Sequence, residues 1–101
     1  MRTTRGRVVV ALLSDEDVEA RLGKGDWRRE GAEIVRERTF ADFRGAMAFA
    51  NRVADAAEEA GHHPDILAHG YKHVALRLST HSEGGLTERD FALARTLDAL
   101  G

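Results

Sequence analysis

Apolar and polar positions along this chain follow two periods, and the switch between them marks out its elements. Across residues 42–60, Phe43, Met47, Ala50, Ala54 and Ala57 recur every three or four positions, with Phe49 and Val53 widening the stripe. Asp42, Arg44, Arg52, Asp55 and Glu59 lie largely off it. That spacing predicts a long amphipathic helix. Gly61 suits its end, and Pro64 cannot continue it. From Asp65 the period becomes two. Val74, Leu76 and Leu78 point one way, and His73, Ala75, Arg77 and Ser79 the other. Gly70 permits a turn, so residues 66–69 and 73–80 are predicted as a hairpin.

The flanking segments complete the pattern. Ser14 precedes DEDVEARL, where a hydroxyl cap and first-turn acids answer the unpaired N–H groups of a helix start. Val18 and Leu22 share a face of this helix, and Gly23 and Gly25 stop it. Residues 27–30 and 33–40 are candidate strands around a turn at Gly31 and Ala32. Ile34, Arg36, Arg38 and Phe40 share one parity there, while Val35, Glu37 and Thr39 share the other. SEGG, residues 82–85, reads as a loop. Thr87 followed by Asp90 opens a last helix, an acid variant of the capping box, with Phe91, Ala94, Leu97 and Leu100 on its core side. The order is helix, two strands, helix, two strands, helix. Short connections favour antiparallel pairs, which gives an α+β domain with helices over one sheet face and the other partly open.

Composition narrows the function. The 101 residues suit one domain with one core. A formal net charge of −2 offers no reason to expect nucleic acid or an anionic membrane as the main partner, Arg2, Arg5 and Arg7 notwithstanding. No apolar run approaches the roughly 20 residues of a membrane span. VVVALL, residues 8–13, follows basic residues as a signal core would, but SDEDVEAR stands where a small-residue cleavage site belongs. The expectation is a cytoplasmic protein, consistent with the absence of cysteine. Residues 1–11 are read as an extension, extended or disordered, and 12–101 as the domain.

The chemistry concentrates in one stretch. GHHPDILAHGYKHVALRLSTH holds all five histidines of the chain: His62, His63, His69, His73 and His81. A structural zinc site commonly mixes thiolate with imidazole, and no thiolate exists here. The helical pair of histidines four apart with an intervening Glu is absent too. A three-histidine metal site of His62, His63 and His81 stays open. Acid/base work demands less, because an imidazole with a pKa of about 6.5 can give or take a proton near neutrality. His62 and His63 stand at a helix end and His81 at the far end of a strand, and such ends can meet at the rim of a sheet. The alternative for each is a solvated, hydrogen-bonded surface histidine.

Along the chain the constellation runs Glu58, three residues, His62-His63-Pro64, six residues, Tyr71, nine residues, His81, eight residues, Asp90. It resembles the signature of the pterin-4a-carbinolamine dehydratase family, also described as the dimerization cofactor family. GLTERD (residues 85–90) and WRREGAEIVRERTFADFRGAMAFANRVA (residues 27–54) look like the same family, and the resemblance covers roughly residues 12–100. Gly61 departs from the polar residue often found before the His pair, and Ile66 and Leu67 replace an aromatic that some members carry.

The resemblance implies a four-stranded antiparallel sheet with three helices on one face. It implies removal of water from a 4a-hydroxytetrahydropterin left by an aromatic hydroxylase, giving a quinonoid dihydropterin, without metal or bound cofactor, in a homodimer or homotetramer. By motif, His62, His63 and His81 carry over as the catalytic set. Glu58, one turn before His62, is a candidate to orient His62 or favour its charged form, or is a plain surface carboxylate. Arg89 and Asp90 match positions near the pterin pocket, Asp90 being equally a capping residue. His69, His73 and Tyr71 belong to the hairpin bend. The family also implies a rival from another class, a non-catalytic interaction module resembling a transcriptional cofactor.

Overall fold

The computed structural model describes residues 11–100; residues 1–10, which make up nearly all of the extension expected to be extended or disordered, lie outside the described residues, as does residue 101. The order is α1 (Asp15–Leu22), β1 (Arg28–Glu30), β2 (Glu33–Thr39), α2 (Phe43–Ala60), β3 (Asp65–His69), β4 (His73–Leu78) and α3 (Glu88–Asp98), with a short 3₁₀ turn (His81–Glu83) before α3. The strands form one antiparallel sheet in the order β1-β2-β4-β3. This is the expected α+β arrangement, three helices and four antiparallel strands.

Local chemistry sets each boundary. Ser14 accepts from the Asp17 amide to start α1, and Asp42 accepts from the Gly45 amide to start α2. Gly61 ends α2 in the left-handed conformation at φ 65°, a backbone that L side chains rarely adopt. Thr87 and Asp90 form a complete capping box at α3. Residues 79 and 80, expected to continue β4, leave it instead. Thr80 makes an isolated bridge to Gly85, turning the chain toward the 3₁₀ turn within the expected loop.

The register explains the facing. Ile34, Arg36 and Arg38 of β2 stand opposite Leu78, Leu76 and Val74 of β4, so they share its helix-covered face. Leu78, Leu76, Val74 and Ile34 are at most 1% exposed. They pack with Phe49 and Val53 of α2, Phe91, Leu93 and Leu97 of α3, and Val18 of α1. The two arginines on this face are accommodated by partners. Arg36 pairs with Asp26 and Asp98, while Arg38 lies 4.8 Å over the Phe49 ring. Asp98 also accepts the Trp27 indole N–H at 2.8 Å.

One expectation needs correction. The buried face of α2 is Ala46, Phe49, Ala50, Val53 and Ala57, whereas Phe43, Met47 and Ala54 are exposed. The apolar arc is wider than the surface the sheet offers. The strip bearing Phe49 and Val53 takes the core, and Phe43 and Met47 are left facing outward.

Candidate active site

Three element ends meet at the rim of the sheet. The C-terminus of α2 delivers His62 and His63, the chain leaving β4 delivers Ser79, Thr80 and His81, and the first turn of α3 delivers Arg89. Together with Gly61 and Ser82 these residues line one cleft of about 210 Å³. The three histidines that the motif selects are therefore gathered in one place. His69 and His73 are not. They stack on each other at 5.3 Å between ring centres beside the β3–β4 turn, with His69 on Glu37 and His73 on Thr39. Tyr71 lies in that turn in a left-handed conformation, 62% exposed.

The two adjacent imidazoles are held differently. His62 is mostly buried, its side chain 11% exposed, and its Nε2 lies 2.6 Å from Oδ1 of Asp90, which is wholly buried. His63 is largely exposed, and its Nε2 lies 2.7 Å from Oε2 of Glu58. Glu58 was expected one turn before His62 as its orienting group; the structure gives it to His63 instead. At the left-handed Gly61 the chain leaves the helical path, so the turn-spaced neighbour of Glu58 is no longer His62. Asp90, reached across 28 residues of sequence, is the partner of His62. That pairing has no local signature, and sequence reasoning missed it.

Both oxygens of Asp90 are engaged within the protein. Oδ1 takes His62, and Oδ2 accepts from the Thr87 amide at 2.9 Å and the Thr80 hydroxyl at 2.8 Å. Of its two expected roles, the cap is the one present, extended by the bond to His62. Arg89 is exposed at the cleft edge, where its Nη2 donates to the Gly61 carbonyl at 3.2 Å, tying α3 to the end of α2. Thr80 is a site residue that the motif does not contain. Its one signal in the sequence is its place directly before His81. Among the described residues, no three His, Asp or Glu side chains are grouped as a metal ion would require.

A family model described as pterin 4 alpha carbinolamine dehydratase matches residues 11–100. The chain belongs to this family. A relative from Thermomicrobium roseum is 58% identical over 92 residues, 90% of this chain and 98% of its own, and one from Acidobacterium capsulatum is 50% identical over 90% and 99%. Both carry the name "Putative pterin-4-alpha-carbinolamine dehydratase". Among solved structures, a transcriptional coactivator/pterin dehydratase from Brucella melitensis superposes with a TM-score of 0.81 at 33% identity. It covers 88% of this chain and 97% of that one. A pterin dehydratase-like protein identified as a RuBisCO assembly factor in the alpha-carboxysome gives 0.63 at 29% identity, over 75% and 89%. The structural neighbours of this chain thus include proteins whose names describe roles other than catalysis. No described helix is long and apolar enough to cross a membrane.

Proposed function

We propose that this protein is a 4a-hydroxytetrahydropterin dehydratase acting by histidine general acid/base catalysis. The observation that carries the reading is the convergence of His62, His63 and His81 on one cleft. The reaction needs two proton transfers. An imidazolium protonates the departing oxygen, the carbon–oxygen bond breaks, and water leaves. A neutral imidazole takes the proton from the ring N–H, whose electron pair closes the carbon–nitrogen double bond of the quinonoid product. Each transfer is worth about 10²- to 10⁴-fold. No metal or bound cofactor enters the scheme; the pterin is the substrate.

Supporting groups follow from the geometry. Asp90 holds His62 and Glu58 holds His63. Arg89 keeps N–H donors beyond the one on Gly61, suited to the polar edge of a pterin. The cleft is smaller than the roughly 300–1,000 Å³ usual for drug-sized ligands, which favours a flat bicyclic ring. An aromatic hydroxylase that uses tetrahydropterin would supply the substrate.

The proposal extends to a homodimer or homotetramer. β3 is an edge strand exposed along its whole length, bearing Ile66 and Leu67, and Phe43 and Met47 of α2 are also uncovered. Sedimentation equilibrium at micromolar concentration should return two or four times 11.1 kDa, and a monomer mass would remove this part.

Stopped-flow absorbance of 4a-hydroxytetrahydropterin dehydration tests the activity, with wild type beside His62→Ala, His63→Ala and His81→Ala. The expected result is a fast wild type and folded variants each slowed by about 10²-fold or more. A wild type no faster than buffer would favour the second reading, a non-catalytic interaction module, which the names of the Brucella and carboxysome relatives support.

A further inference from the structure

Behind His62 lies a row of buried hydroxyl groups that the proton-transfer scheme does not use. Thr80 is 2% exposed and Thr87 not at all. Thr80 immediately precedes the 3₁₀ turn, yet its hydroxyl does not cap that turn. It reaches inward, 2.8 Å from Asp90 Oδ2 and 2.7 Å from Thr87 Oγ1. Thr87 Oγ1 accepts from the Arg89 amide at 3.2 Å.

Each hydroxyl has one proton, and that count gives the row a direction. A carboxylate only accepts, so the Thr80 proton goes to Asp90. The contact between the two threonines must then be supplied by the Thr87 proton, donated to Thr80 Oγ1. Thr87 receives in turn from the Arg89 N–H. The order runs Arg89 N–H to Thr87, Thr87 to Thr80, and Thr80 to Asp90. With Oδ2 filled by Thr80 and by the Thr87 amide, Oδ1 is left for His62 Nε2, which donates to it. Among the described residues no buried side-chain nitrogen or oxygen lacks a partner.

We infer that Thr80, backed by Thr87, is a positioning residue that locks His62 in the Nε2–H form through Asp90, leaving Nδ1 as the lone pair that takes up the substrate proton. The assignment makes a neutral His62 a base, acting through Nδ1. Its kinetic part rests on the dehydratase reading; its tautomer part does not. Removing the Thr80 hydroxyl strips Asp90 Oδ2, which is buried, of one of two donors. The carboxyl group is then free to turn, and His62 loses its single orientation.

Two-bond ¹H–¹⁵N spectra of the ¹⁵N-labelled protein read this directly, with His62 assigned by its absence from His62→Gln. At a pH where His62 is neutral, wild type and Thr80→Ser are expected to show the Nε2–H pattern. Thr80→Val and Thr80→Ala, each checked for folding by circular dichroism, are expected to lose it to a mixed or Nδ1–H pattern. If Val disrupts the fold, Ala gives the same readout. In dehydration assays the Val and Ala variants should lose about 10²-fold in kcat with little change in KM, and Ser should recover most of it. An Nδ1–H or mixed His62 in the wild type would overturn the inference. So would a folded Thr80→Val or Thr80→Ala with the tautomer unchanged. An inactive wild type with the expected tautomers would refute the dehydratase and leave the hydroxyl row standing.

Discussion

Glu58 and Asp90 each bond an imidazole at nearly the same distance, 2.7 and 2.6 Å, and differ in almost everything else. The Glu58 side chain is 77% exposed and that of Asp90 0%. An exposed pair exchanges its bond for water at little cost, so Glu58→Gln should change unfolding free energy by less than about 1 kcal/mol. Asp90→Asn disturbs a helix cap and a buried network together, and about 1–3 kcal/mol is expected. Urea titration of both variants separates the cases, and a Glu58→Gln loss as large as that of Asp90→Asn would contradict the burial argument. The candidate histidines were legible because they belong to a spaced motif. Which carboxylate serves which histidine was not. Helical spacing assigns Glu58 to His62 only if the helix continues, and it stops at Gly61.

At the scale of elements, caps are the most readable features because donor and acceptor lie within three residues of each other. Ser14 and Thr87 cap as their positions suggest, and Asp42, read as the first residue of its helix, caps it too. The buried side of α2 was harder. Its apolar arc includes both Phe43 and Phe49, and the choice between them depends on the sheet it meets. Phe49→Ala should cost about 3–5 kcal/mol, since Phe49 is fully buried against Phe40, Val53 and the β4 leucines. Phe43→Ala in the isolated fold should stay within about 0.5 kcal/mol. Comparable losses at low protein concentration would place the core on the wrong side of the helix. Gly61→Ala, where an added Cβ meets nothing within 4 Å, should cost only its left-handed backbone, about 1 kcal/mol.

Over the whole molecule the two sides of the sheet follow different physics. One is sealed by helices, and the other carries a small charge lattice. Arg77 bonds both Glu30 and Glu33 at 3.0 Å, and Arg28 bonds Glu30 at 2.9 Å. Hydrogen bonds from Arg77, then Arg28, hold the Glu30 carboxyl below its ordinary value of 4.5. A carboxyl depressed by folding stabilises the native state above that ordinary value, and the contribution is lost as pH falls through the lower folded one. Thermal midpoints should therefore decline below about pH 4.5, less steeply for Glu30→Gln than for wild type. Equal slopes would show that the lattice contributes nothing. The parity of β2 and β4 made this two-sidedness visible beforehand. The ion pairs across three strands depend on register, which single-strand patterns do not contain.

The link between His62 and Asp90 closes a loop that contains the entire β3–β4 hairpin and both ends of the cleft. The two helices it joins precede and follow that hairpin in the chain, so neither the bond nor the cleft can exist in a half-assembled chain. Protection of His62 from solvent therefore requires α2 and α3 to be docked together. A probe on this single imidazole would report the docking of α3 against the end of α2.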